Sequence, residues 1–107
     1  MAYKVALTKT ASRDLKSICA YIARRDGVES AEQVLDHIDA LLEALSEYPE
    51  RGAYPKELLH LGIREFREVF FKAYRVIYRV EKKKVHVLVI ADGRRDMQTL
   101  LERRLLD

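Results

Sequence analysis

The sequence predicts an α+β fold: a small antiparallel sheet with an N-terminal strand, a helix hairpin on one face and a short C-terminal helix. Three observations lead there. Two stretches with helical apolar spacing lie between residues 11 and 48. Three β-rich stretches follow one another after residue 62 with short polar breaks, the signature of an antiparallel meander. A last helical stretch closes the chain.

Each element has its own warrant. YKVALT (3–8) alternates weakly and reads as a strand. Thr8 or Thr10 can cap a helix over roughly 11–25, whose Leu15, Ile18, Cys19 and Ile22 share one face. Arg24-Arg25-Asp26-Gly27 closes it with cations and a glycine. Ser30 with Gln33 has capping-box spacing and is expected to start a second helix, with the stripe Val34, Ile38, Leu41, Leu42 and Leu45, ended by Pro49. ERGAYPKE (50–57) reads as a loop. Strands are expected at 63–72, 74–81 and 85–91, with Lys82–Lys84 as a polar turn. Asp92-Gly93 ends the last strand, and 95–106 reads as a helix with Met97, Leu100, Leu101 and Leu105 on one side.

Bulk properties bound the class. A length of 107 residues predicts a single domain over 1–107. With one cysteine, Cys19, no internal disulfide can form, and a reducing compartment is expected. No apolar run approaches the roughly 20 residues of a membrane span, and no signal-peptide pattern opens the chain. A cytoplasmic protein without membrane partners is expected. Net charge is +3, unevenly placed: residues 1–55 carry 7 Lys and Arg against 9 Asp and Glu, residues 56–107 carry 13 against 8. A basic C-terminal half suits a polyanionic or acidic partner.

Strand alternation sharpens this. Tyr74, Val76, Tyr78 and Val80 fall on one face, suited to the core beneath the helices. Arg75, Ile77 and Arg79 fall on the other, with the two arginines about 13 Å apart. In the preceding strand Arg64, Phe66, Phe70 and Lys72 share a face. Arg94 and Arg95 follow the last strand. Guanidinium groups suit phosphate because the planar fork donates two bonds to two oxygens. The expected target- or nucleic-acid-binding set is therefore Arg64, Lys72, Arg75, Arg79, Arg94 and Arg95, on a sheet face the helices leave open. The bland alternative is pairing with Glu65, Glu68 or Glu81 across strands. His37, His60 and His86 lack metal-ligand spacing, so no metal and no cofactor is expected.

YKVALTKTASRDL, GIREFR, YRVIYRV and VHVLVIADGRRDM, in this order, resemble the RelE/ParE superfamily, toxins of bacterial type II toxin–antitoxin modules. The resemblance implies a growth-inhibiting protein silenced by a cognate antitoxin. Family members divide between ParE-like poisons of DNA gyrase and RelE-like endoribonucleases that cut mRNA on the ribosome. For the ribonuclease branch the resemblance makes Arg79 and Arg95 catalytic. The place of that branch's tyrosine holds Met97 and Gln98, neither of which titrates usefully. The ParE-like reading is therefore expected, with mRNA cleavage as the alternative and a non-toxic RNA-binding accessory domain as the third. An acidic, amphipathic antitoxin segment is expected over Phe66, Ile77, Met97 and Leu101; for the last two, on the final helix, the alternative is packing into the chain's own core.

Overall fold

A computed structural model describes residues 2–106. Its elements run β1 (Lys4–Leu7), α1 (Lys9–Asp26), α2 (Val28–Glu47), α3 (Lys56–Leu59), β2 (Arg67–Phe71), β3 (Tyr74–Glu81), β4 (Lys84–Asp92) and α4 (Met97–Leu101). A π-helical turn, Glu102–Leu106, follows α4. The strands form one sheet in the order β1-β4-β3-β2. The meander β2-β3-β4 is antiparallel, and β1 joins β4 in parallel.

The helix hairpin forms as expected, but its turn is tighter. Thr8 caps α1, accepting the Ala11 amide at 3.1 Å. Gly27, at φ 101°, both ends α1, donating to Ala23, and precedes α2. Because one glycine reverses the chain, the second helix starts at Val28 rather than Ser30. The capping box does not form; the Ser30 hydroxyl donates back to the Asp26 carbonyl at 3.2 Å.

Both sheet faces are covered. Beneath the hairpin, Ala11, Ile38 and Leu45 pack on Val69, Val76, Tyr78, Val85, Val87 and Ile90. The opposite face was expected to be bare. Instead Phe66, Ile77, Val89 and Ala91 pack against Leu58 from α3 and Met97, Leu100 and Leu101 from α4. β4 serves both cores through a bulge. Val87 pairs with Tyr78 and Val89 with Ile77, so Leu88 is the extra residue and side-chain parity flips there.

β4 also runs beyond β1, which ends at Leu7, leaving backbone groups to satisfy. Side chains do this. The Ile90 amide donates to Asp14 Oδ2 at 3.0 Å, and Arg104 donates to the Leu88 carbonyl at 2.9 Å. Arg104 also grips the Asp14 carboxylate through two bonds, 3.1 and 2.9 Å. One ion pair thus ties α1, the β4 bulge and the C-terminal turn together.

Candidate functional site

Parity on β3 and β2 is as the sequence predicts. Arg75, Ile77 and Arg79 face away from the hairpin, as do Phe66 and Phe70. What the sequence did not show is how much of that face the chain keeps for itself. Arg75 is only 7% exposed. Its two terminal nitrogens donate to the Glu57 carboxylate at 2.9 and 2.8 Å, and Nε donates to Glu68 Oε1 at 2.8 Å. A guanidinium so occupied has no fork left for phosphate, which corrects its expected place in an open basic surface. Glu57 does this from α3, inside the stretch read as a loop. A four-residue helix after Pro55 has too few positions for periodicity to reveal it.

The two glutamates shift in opposite directions although Arg75 favours the charged form of both. Hydrogen bonding to Arg75 lowers the Glu57 pKa, whereas burial raises that of Glu68.

The remaining cations separate into two groups on either side of the buried Ile77. Lys72 and Arg94 join Arg75 around a cleft of about 420 Å³ that also takes in Tyr54, Lys56, Glu68, Phe70 and Gly93. Phe70 is 54% exposed there, a large apolar ring among cations. Arg94 folds back on Asp92 through contacts of 3.0 and 2.6 Å, holding that carboxylate's pKa down at about 2. Arg95 is exposed beside it. At the other end Arg64 and Arg79 line a cleft of about 280 Å³ with Glu50, Glu65, Arg67 and Val80. Arg79 reaches Glu81 only at 3.8 Å, and its buried Nε has no partner among the described residues. Arg67 is committed to structure, donating to the carbonyls of Glu50 and Gly52 and to the Tyr54 hydroxyl.

The residues expected to meet an antitoxin, Phe66, Ile77, Met97 and Leu101, are 5%, 0%, 4% and 0% exposed. They are the second core. Their apolar spacing was visible in the sequence, but spacing alone does not say whether the covering element is the chain's own. Gln98, beside Met97, donates to the Glu57 carbonyl and to Glu102.

This arrangement has known counterparts. Residues 5–97 match the family model described as the ParE toxin of the type II toxin–antitoxin system parDE. The chain belongs to the ParE toxin family. Toxin ParE3 of Caulobacter vibrioides is 29% identical over 101 residues, spanning 94% of this chain and 97% of that one. The fold is shared with the solved structure of the chromosomal ParDE TA system from P. aeruginosa, at TM-score 0.71 and 21% identity over 85% of this chain and 96% of that one. As a ParE-family member the chain is the toxin of a type II module, and such a module implies an antitoxin partner. Among the described residues no helix is long and apolar enough to cross a membrane.

Proposed function

We propose that this ParE-family toxin arrests growth by engaging DNA gyrase. The match of residues 5–97 to the ParE family carries this reading. The chemistry around Arg95 supports it. Met97 is packed into the second core and Gln98 is tied to Glu57 and Glu102, so neither residue offers a proton donor or acceptor to a reacting ribose. The contact residues are Arg64, Lys72, Arg79, Arg94 and Arg95; Arg75 instead anchors α3. The antitoxin's acidic segment takes the cleft at Phe70, where Lys56, Lys72 and Arg94 surround an exposed ring.

One observation favours the ribonuclease branch: Arg79 lies in register with His86 on β4, which sets a cation beside an imidazole, the side chain most often used for general acid–base catalysis. Inducing the toxin alone, then assaying supercoiling by purified gyrase and cleavage of ribosome-bound mRNA, separates the two. Inhibited supercoiling with intact mRNA is expected. Cleaved mRNA with unimpaired gyrase assigns the toxin to the other branch.

A further inference from the structure

The β3–β4 connection has two residues. Glu81 pairs with Lys84, and Lys82 and Lys83 reverse the chain between them. Both lie at positive φ, 49° and 62°. That is the pattern of a type I′ turn, which fits the twist of the flanking strands and is normally made of Asn-Gly, Asp-Gly or Gly-Gly. A lysine Cβ in the left-handed region crowds the following carbonyl oxygen, and two successive lysines meet this penalty twice. Backbone strain of this kind persists only where the surrounding structure imposes it, and it clusters at functional sites.

What the strain provides is the placing of charge. Lys4, the first residue of β1, lies in register with Lys84, and its amide donates to the Lys83 carbonyl at 3.2 Å. Lys4, Lys82, Lys83 and Lys84 therefore gather at one end of the sheet, on strands about 4.8 Å apart. None of the four forms a salt bridge among the described residues; Glu81, across the strand from Lys84, reaches Arg79 at 3.8 Å instead. Like charges this close repel unless something negative lies beside them.

The chemistry of the tip narrows what that is. The flanking apolar residues turn inward: Val85 is buried, and Val5 and Val80 pack against the first core. The tip thus lacks the apolar anchor that a protein interface needs, and lysine is depleted at the centres of such interfaces. Ammonium groups do suit phosphate as compact point charges. We infer that Lys4 and Lys82–Lys84 form a contact for the phosphate backbone of a nucleic-acid duplex, gripping by charge without reading base sequence. The contact is separate from the arginine clefts and does not depend on which target the toxin poisons.

The full chain carrying Lys82→Asn with Lys83→Gly tests this, because Asn-Gly suits the turn while removing two charges. Binding to a 30-base-pair DNA duplex is followed by fluorescence anisotropy across a salt series. The variant is expected to bind roughly 10-fold more weakly or worse, with the slope of log K against log salt reduced by about 2. Its melting temperature is expected to rise by about 5 °C as strain is relieved, so weaker binding cannot come from unfolding. Arg13→Gln with Lys16→Gln removes the same charge from the exposed side of α1 and is expected to keep the slope. The proposal is overturned if the wild-type chain ignores the duplex at low salt, or if the turn variant keeps the wild-type slope. It is also overturned if the α1 variant loses as much, or if the turn variant melts lower. An equal loss of binding to polyglutamate of matched charge makes the tip an acidic-protein contact instead.

Discussion

At Arg75 one guanidinium holds two buried carboxylates, and its removal leaves like charges facing each other without water. Arg75→Ala is expected to cost about 3–5 kcal/mol, measured by urea unfolding at pH 7. Glu68→Gln is expected to be near neutral, since it leaves a matched Arg75–Glu57 pair. The pH dependence follows from the two directions. The folded pKa of Glu57 is depressed below its ordinary 4.5, so its contribution is fully present above about 4.5 and is lost as pH falls through the depressed value. Glu68 is raised by burial and acts oppositely: its protonation favours the fold as pH falls through its raised value. Glu57→Gln should therefore flatten the loss of stability below pH 4.5. Asp92 gives a cleaner signal. Its carboxyl should titrate by NMR at about 2, and Arg94→Ala should move it back toward 3.8. Strand parity alone places Arg75 on its face, because β3 carries no extra residue of its own. Its burial was hidden, because the glutamate that decides it belongs to a four-residue helix.

At the scale of elements, a buried phenol joins Arg67 and the Ala53–Glu68 backbone bridge in holding the loop between α2 and α3. The buried Tyr78 hydroxyl donates to the Pro49 carbonyl at 2.7 Å and accepts the Gly52 amide at 3.0 Å. Gly52 has to be glycine, since a Cβ would stand 2.6 Å from both that hydroxyl oxygen and the Glu68 carbonyl. Tyr78→Phe leaves the amide and the carbonyl without partners and is expected to cost about 1–3 kcal/mol, with faster amide exchange at Gly52. The sequence placed Tyr78 on the core face beneath the helices. It could not supply the partners of its hydroxyl, which lie 26 and 29 positions away. The hairpin turn shows a related limit. Ser30 and Gln33 have the right local spacing for a cap, yet Gly27 at positive φ reverses the chain sooner, and the stronger backbone signal prevails.

For the whole molecule, the basic excess of the C-terminal half correctly marked where cations concentrate, but it overstated how many face outward. Arg67, Arg75 and Arg104 spend their donors on the chain's own carbonyls, carboxylates and a phenol. A sheet with helices on both faces needs such ties, since α4 has five residues and cannot hold itself in place. Arg104 is the tie for the C-terminal end. It reaches Asp14 on α1 and the Leu88 carbonyl at the bulge, and its side chain is 17% exposed. Arg104→Ala removes the grip on both while leaving the Asp14 bond to the Ile90 amide intact. The second core should then loosen from its lid while the first stays closed. Hydrogen exchange is expected to quicken through Met97–Leu101, with the amides of Ile90 and of α1 still protected. Uniform loss of protection across both cores would mean instead that the pair fixes the whole fold rather than its C-terminal cover.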